Sequence, residues 1–443
     1  MIIRNARILS FDKRNRAIDS GAVQVRADGT IGWVRRDLPG STLRAHYAGE
    51  KIIDAQGKVL MPALINCHTH LYSTLARGIK IQGRSPRNFP QILKNFWWRL
   101  DSALNEEDIY YSALIGLIES AKAGVGTLVD HHSSPGACPG SLDIMERAFR
   151  QVGLRGALCY ETSDRNGPAS AQEGIRENVR FIEKSRRNGG GTIGANFGLH
   201  ASFTLGDRTL RQCVEANQSL RAGFHVHVAE DRCDVDHALR RFGKTPVQRL
   251  SDLDLLDERA IAAHCVHVSA ADISCLARKK VNVIHNPQSN CNNAVGIANI
   301  AEFFRRSVLV GLGSDGYTPR MWEEFMAAFH LQKLRAQDPR AGAEAFAALL
   351  NNRVIAKKVW GWNIGRIEPG AAADMVLVDY NPPTPLTAAS LFGHILFGIA
   401  HAPVDSLIVN GRFIVREGRC LLVDESEIAR RASSHARKLW ERV

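Results

Sequence analysis

The chain has 443 residues, 45% of them apolar and 23% charged, with 9 cysteines and a net charge of +12. That balance suits a folded globular protein and excludes compositional disorder. The positive charge is spread along the chain, and its densest runs, Lys184 to Arg187 and Arg278 to Lys280, are short and hold no aromatic residue, so nucleic-acid binding is not expected.

The N-terminal stretch MIIRNARILSFDKRN lacks the apolar segment of a signal peptide, and no run reaches the ~18 apolar residues that span a bilayer. Cysteines without paired spacing fit a reducing compartment, so a cytoplasmic protein with no membrane partner is expected. Residues 1–61 read as short strands with turns at Asp-Gly or Gly: MIIRNARIL, GAVQVRADGTIGWV and KIIDAQGKVLM. The pattern then changes. Eight compact apolar runs follow in order: LMPALINCHTH, GVGTLVDHH, LRGALCYETSD, TIGANFGLHAS, AGFHVHVAED, AIAAHCVHVS, VNVIHNPQSN and VLVGLGSDG. Amphipathic stretches such as SLDIMERAFRQVG, RTLRQCVEANQSL and AADISCLARKK lie between most of them.

Alternating strand and helix signals predict a parallel sheet, and eight such units predict a (β/α)8 TIM-type barrel over residues 62–365. Past residue 365 the β-type pattern returns (GRIEPGAAADMVLVDY, DSLIVNGRFIVREGRC), and a helix is expected over 425–443. The expected fold is therefore α/β: a barrel with a small flanking β-sandwich domain built from both chain ends, 1–61 and 366–424.

Each run ends in polar or ionisable residues, at the strand ends where barrel enzymes place their chemistry. His68 and His70 stand two apart, so on a strand both imidazoles share a face and suit a zinc-class cation. Alone, that spacing is a weak signal. His225 and His227 repeat it on the fifth run, with Glu230 three residues on; His264 ends the sixth run and Asp315 the eighth. His225, deeper on its strand, is read as a core or supporting residue. Cys67 and Cys265 adjoin inward histidines and should point into packing. Gly311, Gly313 and Gly316 match G-x-G-x-x-G, but the helix signal starts only near Pro319, so no phosphate cradle is expected.

PALINCHTH, HVHVAE, AAHCVH, HNPQSN and GLGSDG together resemble the amidohydrolase superfamily, in its deaminase and chlorohydrolase (ATZ/TRZ-like) branch. Longer stretches, HTHLYSTLARG, FWWRLD, DHHSSPG, CYETSDRNG, HVHVAEDRCDVD and HNPQSNCNNAVG, are similar to the SsnA aminohydrolases. The resemblance spans essentially the whole chain. It implies that His68, His70, His227 and Asp315 hold one divalent metal, zinc first, with iron or manganese as alternatives. It makes Glu230 the proton shuttle, His264 the polarising group and Asp315 the acceptor of the water's proton. Binuclear relatives carry a lysine or carboxylate near the end of the fourth strand; here that strand ends in GLHAS, so a single metal is expected.

His200 is then expected to touch substrate or to cap its strand. His131 or His132 should face the pocket, with Glu161 and Asp164 nearby. Arg165 either clamps an anionic group or braces Asp164. Trp97 and Trp98 either stack on substrate or fill the core. One departure is Ala63, where most relatives have glycine, and it bears on the exit of the first strand. The expected activity is hydrolytic deamination of an aminated nitrogen heterocycle, with cyclic-amide hydrolysis or dehalogenation at the same metal as the alternative. The expected partner is a small molecule, and a homodimer is the default assembly.

Overall fold

Apolar runs alternating with amphipathic helices produce parallel pairing in the computed structural model, which describes residues 1–80, 83, 85–189 and 191–443. One sheet has four strands: Leu64–Thr69, Val125–His132, Arg155–Tyr160 and Ile193–Ala195. A second has five: Phe197–Ala201, Phe224–Val228, Ile261–His264, Asn282–His285 and Leu309–Leu312. Every residue in them is buried except the half-buried Ala195 and Leu309, as in strands covered on both faces. Helices Ser141–Val152, Asp207–Asn217 and Ala270–Arg278 form on the predicted amphipathic stretches. The last starts with a capping box: Ser269 accepts from the Asp272 amide, and the Asp272 carboxylate accepts from the Ser269 amide.

The run TIGANFGLHAS departs from the expected single strand and breaks at Asn196 into Ile193–Ala195 and Phe197–Ala201. The cause is local. Asn196 donates its side-chain amide to the Gly223 carbonyl at 3.1 Å and accepts from the Trp360 indole at 3.0 Å, so it leaves the strand. The first half pairs with Arg155–Tyr160, the second with Phe224–Val228.

Hydrogen bonds cross both gaps between the two sheets. Parallel bridges join Thr69 to Asp315 and Thr162 to Leu199. Each gap is also stitched by a buried asparagine from a covering helix. Asn352, on helix Ala343–Trp360, accepts from the Leu312 amide at 2.8 Å and donates to the carbonyls of Ile65 (2.7 Å) and Leu312 (2.8 Å). Asn178, on helix Pro168–Arg187, accepts from the amides of Tyr160 (2.9 Å) and Gly198 (3.1 Å) and donates to their carbonyls. Buried backbone groups without a partner cost about 1–3 kcal/mol each. Asn352→Ala therefore costs about 3 kcal/mol or more in denaturant unfolding. Asn351→Ala, which removes a single bond to the Val310 carbonyl, costs about 1 kcal/mol. Equal shifts for the two variants would refute the stitching role.

The two chain ends meet in one nine-stranded sheet, where Met375–Val378 runs antiparallel to Val59–Pro62. Ile3, Ile8, Val23, Leu60, Met375 and Ile408 pack into an apolar layer on it. The C-terminal helix runs Glu425–Arg442. Ala63 keeps a negative φ and its amide donates to the Asp374 carbonyl at 3.0 Å, so alanine is accommodated there without strain. All nine cysteines are unpaired. Among the described residues, no helix is long and apolar enough to cross a membrane.

Candidate metal centre and active site

The ends of three parallel strands bring the predicted metal residues together. His70 Nε2 lies 3.2 Å from Asp315 Oδ1 and 3.1 Å from His227 Nε2, and His68 Nε2 lies 3.9 Å from the same Asp315 oxygen. Potential ligand atoms of His68, His70 and Asp315 all fall within 4.8 Å of one another. A second grouping within the same limit takes in His70, His227, His131 and Glu161.

The rings are fixed by what their other nitrogens bond. His70 Nδ1 sits 2.6 Å from the His131 carbonyl, and His227 Nδ1 sits 2.8 Å from the His200 carbonyl. A carbonyl only accepts, so each Nδ1 carries a proton and each Nε2 turns toward a shared point. His68 Nε2 and His264 Nε2 are buried there with no hydrogen-bond partner. Burial works to lower the His70 pKa, but the Asp315 carboxylate outweighs it and holds His70 up at about 9. Burial likewise opposes ionisation of Asp315, and the His70 bond and charge overcome it, keeping that carboxyl well below its usual range. A cation that displaced this proton would meet three imidazole nitrogens and a carboxylate, a donor set that fits a zinc-class ion.

Two further groups face the same point. Burial raises the Glu230 carboxyl to about 7, against the opposing influence of His264, and Asn293 donates to its Oε1 at 3.2 Å. His264 Nε2 stands 3.6 Å from both Glu230 Oε2 and Asp315 Oδ2, with Nδ1 donating to Asn290 Oδ1 at 2.8 Å. Ser289 donates to Asp315 Oδ2 at 2.5 Å. The backbone is strained here: Ala229, His264, Cys265 and Asp315 have φ of 47°, 71°, 49° and 55°. Left-handed conformations cost non-glycine residues about 1–3 kcal/mol each and gather at functional sites.

A cleft opens over this cluster, with His70, His227, Glu230 and Asp315 in its lining. Phe89, Trp97, Trp98 and Phe203 line it, and both tryptophans also pack against buried Phe89, Leu93 and Val295. A wide π-type turn over Leu93–Trp97 presents them.

The remaining candidates divide. His200 lines the cleft, its Nδ1 2.6 Å from Thr204 Oγ1, and burial pushes its pKa down to about 3, so the ring is neutral. His131 and His132 are both fully buried, and neither lines the cleft. His131 Nε2 donates to the His225 carbonyl at 3.1 Å, and Nδ1 lies 3.1 Å from Glu161, which does line the cleft. Arg165 also stands back from the lining. It pairs with Asp101, donates to Ser133 Oγ at 3.0 Å and stacks 5.5 Å over Trp98. Asp164 is not its partner: that carboxylate accepts from the Gly206 amide and Thr209 hydroxyl, both at 2.7 Å.

Cys67 and Cys265 are buried, their sulfurs 3.9 Å from the Asn352 and Ala262 carbonyls. Gly313 allows close approach, since a Cβ there would lie 2.8 Å from His68 Cβ and 2.5 Å from Asn286 Oδ1. The next helix begins only at Met321, so the glycines cradle no phosphate. Sequence reasoning missed the supporting roles of Ser289, Asn290 and Asn293, although all three lie inside the HNPQSNCNNAVG stretch. It also missed Asp101, although that residue ends the FWWRLD stretch, and Phe89 and Phe203, which no local signal marked.

The amidohydrolase family profile matches residues 59–414. A 5-methylthioadenosine/S-adenosylhomocysteine deaminase from Desulforudis audaxviator is 32% identical over 411 residues, covering 91% of this chain and 92% of that one. A 5'-deoxyadenosine deaminase from Methanosarcina mazei is 29% identical over 447 residues, covering 100% and 99%. Among solved structures, an adenosine deaminase from Xanthomonas campestris with bound zinc superposes with a TM-score of 0.85 at 23% identity, covering 100% of this chain and 98% of that one. Profile, relatives and fold agree, and the chain belongs to the amidohydrolase family.

Proposed function

We propose that the protein hydrolytically deaminates an aminated nitrogen heterocycle, of adenine-nucleoside type first, using one divalent ion, zinc before iron or manganese. The observation that carries this reading is the placement of Glu230 and Asp315 on either side of His264, 3.6 Å from its Nε2 in each case. One carboxyl stays protonated near neutrality and the other stays ionised, as paired acid and base duties require. In this reading the two parallel sheets close into a (β/α)8 barrel over 62–365, supported by the bonds across both gaps. The nine-stranded sheet of 1–61 and 366–424 forms the flanking β-sandwich, and helix 425–443 packs outside.

His68, His70, His227 and Asp315 would hold the ion, which supplies the Lewis acidity that brings a water's pKa toward ~7. Asp315 takes the water's proton and passes it to the departing amine. Glu230 gives its proton to the ring nitrogen next to the attacked carbon, so the ring can accept the electron pair. His264, its ring held by Asn290, polarises the oxygen as charge develops on it. Trp97, Trp98, Phe89 and Phe203 grip the ring faces, and neutral His200 bonds a ring or sugar atom. Water adds, the C–N bond breaks, the proton of the added hydroxyl returns to Glu230 as the C=O bond forms, and the products are the oxo-heterocycle and ammonia.

The test is ammonia release by metal-reconstituted protein from a panel led by 5'-substituted adenosines and extended to other purines, pyrimidines, pterins and triazines. Turnover of at least one class is expected. Silence across all of them sinks the proposal, and a carboxylate or halide product would transfer it to the alternative hydrolysis.

A further inference from the structure

The three ligand histidines are not anchored alike. His70 and His227 each donate Nδ1–H to a backbone carbonyl of a neighbouring strand. His68 is anchored by another side chain: its Nδ1 lies 2.8 Å from His225 Nε2. Both rings are completely buried, so no water substitutes in this contact. If His68 Nε2 is to present a lone pair, its single proton must reside on Nδ1 and must be donated. The acceptor is His225 Nε2, which forces the His225 proton onto Nδ1, 3.8 Å from Cys159 Sγ. The position is held from the backbone as well, since the His225 carbonyl accepts from His131 Nε2 at 3.1 Å.

We infer that His225 is a positioning residue that fixes the tautomer and ring orientation of His68, and so sets the protein's affinity for the divalent ion. This rests on the metal set proposed above. Supporting bonds of this kind change metal affinity about 10- to 100-fold when removed. A glutamine at 225 places an oxygen near the position of Nε2 and can still accept from His68. An asparagine is polar but shorter, and its oxygen falls near the position of Nδ1.

The experiment measures zinc dissociation constants by chelator competition for the wild type, His225→Gln, His225→Asn and His225→Leu. Unfolding temperatures of the metal-free proteins are recorded alongside. Expected are affinities about 10- to 100-fold weaker for His225→Asn and His225→Leu, with His225→Gln recovering most of the loss. In the zinc-loaded protein, the slowly exchanging His68 Nδ1 proton should be visible by NMR in the wild type and His225→Gln but not in His225→Asn. If His225→Leu fails to fold, the Gln and Asn pair decides the matter. Equal zinc affinity in those two variants overturns the inference. A wild type that binds no stoichiometric metal refutes the metal reading itself, whereas tight wild-type binding unaffected at 225 refutes only the role of His225.

Discussion

Asp315→Asn is expected to lower kcat/KM for ammonia release by roughly 10³-fold or more, while leaving the fold intact. The carboxylate sits where two duties meet: Oδ1 faces His70 Nε2 at 3.2 Å, and Oδ2 lies 3.6 Å from His264 and accepts from Ser289. Asparagine keeps the shape and the Ser289 contact but can neither balance a cation nor take a proton. Kinetics and elemental analysis on the same preparation separate the effects, with metal content also expected to fall. A variant that keeps both metal and turnover would remove Asp315 from the site.

The same geometry gives metal affinity a pH dependence of known sign. His70 holds a proton up to about pH 9 in the metal-free protein, and the ion must displace it. Apparent affinity should therefore rise about tenfold per pH unit toward 9 and then flatten, as read by chelator competition at several pH values.

Glu230→Gln is expected to cost ~100-fold or more in kcat/KM, the usual contribution of a general acid. Glu230 is aimed by the left-handed turn at Ala229, whose amide donates to Asp234 Oδ2 at 2.9 Å, and Asn293 steadies its other side. Gln preserves the size and the acceptor for Asn293 but has no proton to deliver. The sign of the pH effect follows from the raised pKa. Glu230 is protonated below about 7 and empties above it, so wild-type kcat/KM should decline as pH rises through that value. The glutamine variant should lack that decline. A loss of less than about threefold on a good substrate would mean that proton delivery is not its role.

The parts legible in the sequence were those whose chemistry follows from spacing along one strand. His68 and His70 share a face because strand residues two apart do, and they meet Asp315 as that pattern requires. Burial on both sheet faces made the parallel strands readable as continuous apolar runs, and the amphipathic helices between them followed. Even there, Asn196 broke one run, because its side chain bonds Gly223 and Trp360, a contact that no local pattern encodes.

The supporting layer was decided only by the tertiary structure. Asn352 closes on Ile65 across 287 positions, His225 meets His68 across 157, and Arg165 finds Asp101 across 64 while Asp164 turns to Gly206. Whether His131 faces a cleft or lies beneath it depends on which carbonyl accepts its Nε2, and the fold supplies that carbonyl from His225. Spacing in sequence determines which side chains can act together on one element. Which partner satisfies each buried donor, and so which tautomer and orientation each histidine holds, is set by atoms that only folding brings within 3 Å.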